Sequence, residues 1–148
     1  MSAVVAYAGR VARPATPDDI DAICGSLPET ELGISWGDRP TWKVPRGDKG
    51  RGFVLYRMPH HTAVDPETGE MYDDVVVILT PTAAEKQALV DDPGTPFFTI
   101  DHFSGTDAVL VRQSRLGELD IDELREVITD AWAKRAPKRV AKEYFGDA

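Results

Sequence analysis

Apolar residues recur at a helical period near the start of this chain of 148 residues. Thr16 can cap the free backbone N–H groups of a helix, and Pro17 suits the first helical position. Acids at the next two positions favour the positive end of the helix dipole, and Pro28 stops the pattern. The spacing i, i+3, i+4, i+7 therefore predicts a first helix with one apolar stripe, formed by Ile20, Ile23, Cys24 and Leu27.

Two further helices are predicted from their start signals. Thr82 and Glu85 have the spacing of a capping box, and Asp120 stands three residues before Glu123 in the same way. Pro137 breaks or kinks the longer helix, and residues 138–144 can form a further turn or short helix. The apolar stripes are Ala84, Ala88 and Leu89 in the shorter helix, and Ile121, Leu124, Ile128, Ala131 and Trp132 in the longer one.

Short runs of β-branched and aromatic residues predict a sheet. Residues 41–44 and 52–56 flank a separator, 45–51, whose glycines and charges are typical of a hairpin loop. Residues 59–72 are predicted to form an exposed loop, with a turn at residues 65–69. The other predicted strands are the alternating Leu32, Ile34 and Trp36, the continuous run 75–79, and the run 108–111.

The order of these elements favours an α+β fold. Short strands joined by tight turns indicate an antiparallel sheet, with the helices packed on one of its faces. The length fits one domain with a sizeable core. We assign residues 16–148 to that domain, and residues 1–15, which have no clear period, to a flexible N-terminal arm.

Three short motifs follow one another in the last third of the chain. They are the pair Phe97-Phe98, the run Asp101-His102-Phe103-Ser104-Gly105 before an apolar strand, and Asp130-Ala131-Trp132 leading into Arg135-Ala136-Pro137. In this order and spacing they resemble the C-terminal part of the MmcQ/YjbR family. The N-terminal signature of that family is similar to Ser26-Leu27-Pro28-Glu29, Ser35-Trp36-Gly37 and Pro40-Thr41-Trp42-Lys43-Val44.

The resemblance covers roughly residues 15–145 and implies both a fold and a function. It implies an α+β sandwich of the frataxin-like (CyaY-like) type, with loops described as a double wing. It also implies DNA binding, which is how members of the family are often labelled. The acidic loop at residues 59–74 departs from the family pattern, and its carboxylates could repel phosphate.

Charge is unevenly distributed along the chain. The net charge of -8 opposes non-specific binding to DNA, whose affinity comes mainly from neutralising phosphates. Residues 58–111 carry ten acids and one base, whereas residues 39–57 carry six bases and one acid, and residues 131–142 carry five bases and no acid. The two basic islands supply the candidate contacts to nucleic acid: Arg39, Trp42, Lys43, Arg46, Lys49 and Arg51, and then Lys134, Arg135, Lys138, Arg139 and Lys142.

Trp42 has two readings. It could stack on bases beside its basic neighbours, or it could lie buried in the core with the bases outside. Cys24 is the only cysteine, which excludes an intrachain disulfide and suits a reducing, cytoplasmic location. No apolar run approaches the length of a membrane span, so we expect no membrane association.

The sequence carries no recognisable catalytic motif, and no cofactor or metal is predicted. Phosphate-binding glycine loops are absent, and the histidines and the cysteine do not share zinc-ligand spacing. His102 is the best single polar candidate, as an imidazole beside Asp101 or as a hydrogen bond that fixes a turn. Ser104 follows it, but closeness in sequence does not make a catalytic triad. The acids of the 59–74 loop could collect a hard cation, and a solvated loop is the simpler interpretation.

Two hypotheses remain open. The first is a non-enzymatic DNA-binding protein that makes weak, salt-sensitive phosphate contacts with little sequence preference. The alternative is an acidic module that binds a protein or small ligand and has no nucleic-acid role. The two basic islands would share one continuous face under the first hypothesis and lie apart under the second. Metal binding by analogy with the frataxin-like fold is a weaker third idea, because fold alone does not fix function.

Overall fold

Five antiparallel strands form one sheet in chain order in this computed structural model, which describes residues 13–34, 39–57, 63–100, 103 and 105–146. Every neighbouring pair of strands is antiparallel, which confirms the predicted α+β fold class. The strands are β1 (Glu31–Ile34), β2 (Pro40–Val44), β3 (Arg51–Tyr56), β4 (Val75–Leu79) and β5 (Ala108–Arg112).

Helices cover one face of the sheet. A 3₁₀ helix, Gln113–Glu118, leads from β5 towards the longest helix. The α-helices are α1 (Pro17–Ser26), α2 (Ala83–Asp91), α3 (Ile121–Arg135) and α4 (Lys138–Tyr144). Their positions confirm the predicted helix starts and the break at Pro137.

The main core lies between the sheet and the helices. Val54 is paired with Ile78, and Ile78 with Val109, so these three side chains share one face. They form a single buried cluster with the apolar stripes of α1 and α3. The helical members of this cluster include Ile20, Ile23, Cys24 and Leu27 from α1, and Leu124, Ile128, Ala131 and Trp132 from α3.

A second, smaller cluster covers the opposite face. Val77 and Leu110 are paired across β4 and β5 and point away from the helices. Phe98 exchanges both backbone hydrogen bonds with Leu110, at 2.8 and 2.9 Å, and packs on this face with Phe103. Phe98 and Phe103 thus cover the far side of the sheet, whereas Phe97, the other member of the family-like pair, lies in the main core.

The caps of α2 and α3 follow the sequence signals, whereas in α1 the Thr16 side chain caps no backbone N–H and its hydroxyl donates to the Asp19 carboxylate at 3.0 Å. Asp120 accepts a hydrogen bond from the Glu123 N–H at 2.9 Å, and the Glu123 carboxylate accepts one from the Asp120 N–H at 3.0 Å. In α2, Thr82 accepts from the Glu85 N–H at 3.1 Å. The residue that α2 buries is Lys86, however, whereas the predicted apolar positions Ala84 and Ala88 are exposed.

The end of the predicted N-terminal arm is held by hydrogen bonds. Ala15 is buried, and its N–H donates to the Leu119 carbonyl at 2.8 Å, while the Ile121 N–H donates to the Arg13 carbonyl at 2.9 Å. Arg13 also forms two hydrogen bonds with the Asp19 carboxylate, at 2.7 and 2.8 Å. The first twelve residues lie outside the described part of the chain, so the flexible arm at 1–15 stays a prediction.

The described part of the acidic loop contains a small hairpin. Val64 and Met71 form an isolated antiparallel bridge. Between them, the Asp65 carboxylate accepts two hydrogen bonds from backbone N–H groups of the turn that Asp65 begins. Gly69 has a φ of +75°, a left-handed conformation that glycine adopts without strain. The predicted turn at residues 65–69 is therefore confirmed, within a more ordered segment than an open loop.

Candidate nucleic-acid interface

The connection between α1 and β1 joins the two basic islands. The indole Nε1 of Trp132 donates a hydrogen bond to the Pro28 carbonyl at 2.9 Å, and the Arg46 guanidinium donates one to the Thr30 carbonyl at 3.1 Å. The Thr30 hydroxyl donates in turn to the carbonyls of Cys24 and Leu27, at 2.9 and 3.0 Å, which fixes the connection on α1. The β2–β3 loop and the last turns of α3 consequently lie at the same end of the molecule.

The two basic islands come together where α3 packs on β3. Arg51 begins β3, and Arg135 ends α3, which packs across β3 and β2. Burial lowers the pKa of the Arg135 guanidinium, and the positive charge of Arg51 lowers it further. The Arg135 Nε is buried and has no hydrogen-bond partner within the described residues. The two positive charges are therefore close enough to influence each other, and the Arg135 guanidinium has an unused donor.

The β2–β3 loop is held in a compact shape. Glu31 accepts a hydrogen bond from the Gly47 N–H at 3.0 Å and lies 3.6 Å from the Lys43 ammonium. The Gly47 hydrogen bond and the charge of Lys43 lower the pKa of the Glu31 carboxyl. At Gly50 a Cβ atom would lie 2.5 Å from the Pro45 carbonyl oxygen, so the loop requires glycine there. This shape leaves Arg46, Lys49 and Arg51 exposed.

The basic residues of the second island differ in their contacts. The Lys134 ammonium donates to the Thr80 carbonyl at 3.0 Å and to the Asp107 carboxylate at 3.1 Å, so it binds the ends of β4 and β5. Arg139 is 3.5 Å from Glu143 in an exposed pair one turn apart on α4. Lys138 and Lys142 are exposed, and Arg39, in the first island, is half-buried.

Bases dominate this end of the molecule. We call the two segments 45–51 and 135–142 the basic end. Together they carry seven bases and one acid, Asp48. The bases are Arg46, Lys49, Arg51, Arg135, Lys138, Arg139 and Lys142.

Trp42 is half-buried against α1. Its indole N–H donates to the Asp21 carboxylate at 2.8 Å, and the Tyr56 hydroxyl donates to the same oxygen at 2.9 Å. The ring also packs against the main core. These contacts favour the packed reading of Trp42, and a direct role in binding stays a prediction.

Two aromatic residues that the sequence reasoning did not select are exposed near the basic end. Tyr144 and Phe145 are 44% and 57% exposed, and their rings lie 5.0 and 6.3 Å from the ring of Trp132. The signal that could have found them is a pair of aromatic residues directly after the basic turn of α4. Exposed rings beside cations are a typical surface for nucleic-acid bases.

The remaining sequence candidates for chemistry are the histidines, Ser104, Cys24 and the acids of the 59–74 loop. The predictions for His102, Ser104 and the other two histidines lie outside the described residues. Within the described residues, no group of three or more histidines, cysteines and acids is placed to hold a metal ion. Cys24 is fully buried, and burial raises the pKa of its thiol, which makes it unreactive. None of the helices in the described ranges is long and apolar enough to cross a membrane.

The fold and these motifs define a family. A sequence model of the YjbR family matches residues 25–134. The chain belongs to the YjbR family. The match spans the sheet and most of α3. It also contains Phe98, which covers the far side of the sheet.

Relatives in mycobacteria and one solved structure agree with this membership. Uncharacterized protein Rv2570 of Mycobacterium tuberculosis (strain ATCC 25618 / H37Rv) is 31% identical over 144 residues, which is 90% of this chain and 98% of the relative. Uncharacterized protein Mb2600 of Mycobacterium bovis matches to the same extent. The crystal structure of Deinococcus radiodurans protein DR2400, with a DUF419 domain, aligns with a TM-score of 0.60 at 17% identity over 88% of each chain. At that identity, the likeness to the solved structure concerns the fold.

Proposed function

We propose that this protein is a non-enzymatic DNA-binding protein that contacts phosphates through its basic end. The observation that carries the proposal is the packing of α3 on β3, which brings the basic residues Arg51 and Arg135 from distant parts of the sequence to the same end of the molecule. Guanidinium groups suit phosphate oxygens because their N–H donors form a planar fork. A cytoplasmic location is part of the proposal, because DNA must be accessible to the protein.

The expected binding is weak and depends strongly on salt. The net charge of -8 repels nucleic acid at long range, so attraction is confined to the basic end. The Arg139–Glu143 pair is largely exposed and therefore worth little, so phosphate can compete for this cation. Phosphate contacts fix position but carry little information on sequence, and we expect little sequence preference.

The exposed rings favour single-stranded over duplex DNA. Tyr144 and Phe145 can stack only on bases that are already unpaired. Stacking of one base on an aromatic side chain is worth about 1–3 kcal/mol by alanine substitution. Phe145→Ala is therefore expected to weaken binding of single strands more than binding of duplex.

Fluorescence anisotropy with labelled duplex and single-stranded DNA, at low and physiological salt, tests the proposal. Log affinity should fall linearly with log salt, with a slope of about 0.9 per phosphate neutralised on duplex. Arg51→Glu should lower the affinity and reduce the slope by about one. The triple reversal of Arg46, Lys49 and Arg51 to Glu should abolish binding.

Arg125→Glu is the matched control. Arg125 is exposed on α3 but lies ten residues before Arg135, roughly 15 Å along the helix axis. This variant changes the net charge as Arg51→Glu does but leaves the basic end intact. Absence of binding at low salt, or an equal loss in the two single variants, would refute the proposal.

A further inference from the structure

A groove of about 180 Å³ lies between α2 and α3, where β4 ends. Most of its lining is apolar and comes from three elements, with Leu79 at the end of β4, Leu89 on α2 and Val127 on α3. The groove is separate from the 45–51 loop and from α4, so the basic end does not contribute to it.

Three carboxylates line the same groove. Glu126 and Asp130 are one turn apart on α3 and therefore share a helix face, and Glu85 approaches from α2. Within the described ranges of the chain, none of the three side chains has a hydrogen bond or an ion pair. Burial raises the pKa of Asp130, and the negative charges of Glu85 and Glu126 raise it further. The groove thus combines apolar walls with carboxylates that form no ion pair with any described residue.

Lys134 is the basic residue next to this groove. Its ammonium donates to the carbonyl of Thr80, a lining residue, at 3.0 Å. The same ammonium is 3.1 Å from the Asp107 carboxylate, which offsets its charge. Lys134 therefore occupies the edge of the groove and leaves the carboxylates unpaired.

We propose that this groove binds a lysine or arginine side chain from a basic segment of a partner protein. The stem of such a side chain is a chain of methylene groups that lies well on apolar surface, while its charged head needs an anion or water. Here the stem would contact Leu79, Leu89 and Val127, and the head would lie among the carboxylates. A bare metal ion would gain nothing from the apolar walls.

The groove has room for one side chain rather than for a larger ligand. Pockets that bury drug-sized ligands measure about 300–1,000 Å³, and this groove is smaller. A free amine that fills it would have few atoms and correspondingly little binding energy. A partner segment adds contacts of its neighbouring residues with the exposed surfaces of α2 and α3, so we assign the groove to a protein partner.

NMR titration of the ¹⁵N-labelled full chain tests this site. The probe is the capped peptide Gly-Leu-Arg-Leu-Gly, and its control is the same peptide with citrulline, which has the shape of arginine without the charge. The arginine peptide should shift the backbone amides of Ala88, Leu89 and Val127 in the millimolar range, and the citrulline peptide should not. Free n-butylguanidinium, tested in parallel, should bind at least about tenfold more weakly than the peptide.

Matched variants separate this site from other acids and from the basic end. The double variant Glu126→Gln with Asp130→Asn should weaken peptide binding by about tenfold. The double variant Glu67→Gln with Glu70→Gln removes the same charge from the exposed hairpin and should leave binding unchanged. Arg51→Glu should also leave it unchanged, because the groove does not depend on the proposed DNA contacts.

Four results would overturn the inference. They are equal shifts with the citrulline peptide, no shifts at groove amides, equal losses in the two double variants, and equal affinity for the free guanidinium. The last result would assign the groove to a small cation rather than to a protein segment. Each of these results leaves the DNA measurement unaffected, so the two proposals can fail separately.

Discussion

Replacement of the buried Lys86 by methionine tests how the family-like segment before β5 is held. Lys86 is 8% exposed, and its ammonium donates to the carbonyls of Phe103 and Thr106, both at 2.6 Å. These bonds join α2 to the turn that precedes β5. Methionine keeps most of the stem and its packing but removes the charge and both donors.

The structure sets the magnitude of the effect. A hydrogen bond from a charged donor contributes about 1.5–3 kcal/mol to stability. The Phe103 carbonyl keeps two other donors, the Thr106 N–H at 3.0 Å and its hydroxyl at 2.9 Å, whereas the Thr106 carbonyl loses its lysine donor. The variant also avoids the cost of burying an ammonium, which offsets part of the loss. We expect a net loss of about 2 kcal/mol, or roughly 4–8 °C in Tm for a chain of this size.

Thermal unfolding and hydrogen exchange measure this effect together. The amides of Phe103 and Thr106, which donate to Ile100 and Phe103, should exchange faster in Lys86→Met than in the parent protein. Lys49→Met, on the exposed loop, is the control and should change neither quantity. A Lys86→Met protein that is as stable as the parent would refute the reasoning, because burial of the ammonium would then outweigh its two bonds.

Two further predictions concern acids with shifted pKa values. Hydrogen bonding to Arg13 holds the pKa of Asp19 well below its usual range, so the stabilisation is present above pH about 4 and is lost as pH falls through the folded pKa. The difference in urea unfolding midpoint between the parent protein and Asp19→Asn should therefore be smaller at pH 3 than at pH 7. A difference that stays constant would contradict this prediction. The pKa of Asp130 is raised, so its ionised form destabilises the fold above that pKa. Asp130→Asn removes a partly buried charge and its repulsion by Glu85 and Glu126, so the variant should be more stable at pH 7 and unchanged at pH 3. Relief of the i,i+4 repulsion with Glu126 accounts for about 0.2–0.5 kcal/mol of the gain, and a lower urea midpoint at pH 7 would contradict the prediction.

Local signals in the sequence were sufficient for the sheet and the helix boundaries. The capping acid Asp120 and the breaker Pro137 act within a few residues, so their effects can be predicted without knowing the fold. The alternation and β-branching of residues 52–56 and 75–79 have the same local character. These elements form where the sequence predicts them because local preference and core packing agree.

The face that α2 buries could not be predicted in this way. The apolar residues of α2 are mostly alanines and do not gather on one face, so its own sequence hardly distinguishes one face from another. The carbonyls of Phe103 and Thr106, which turn Lys86 inwards, lie 17 and 20 residues further along the chain. A long-range polar contact decides the face, and no periodicity in the helix contains it.

The candidate site shows the same limit. The two basic islands are evident as charge runs, but their approach at one end of the molecule depends on how α3 crosses the sheet. The exposure of Tyr144 and Phe145 depends on Trp132, which fills the space beneath them. Charge content could therefore be predicted, whereas the surface that combines charge with aromatic rings required the fold.

The contacts of Lys134 explain how α3 contributes both to the basic end and to the acidic groove. An acid four residues before a lysine on a helix favours an ion pair, so sequence spacing alone predicts that Asp130 pairs with Lys134. Lys134 instead binds the Thr80 carbonyl and the Asp107 carboxylate, which lie at the ends of β4 and β5. Asp130 is left without a cation, and its pKa rises when an ion pair would have lowered it. The same contact that holds α3 on the sheet thereby keeps Lys134 from neutralising the carboxylates of the groove.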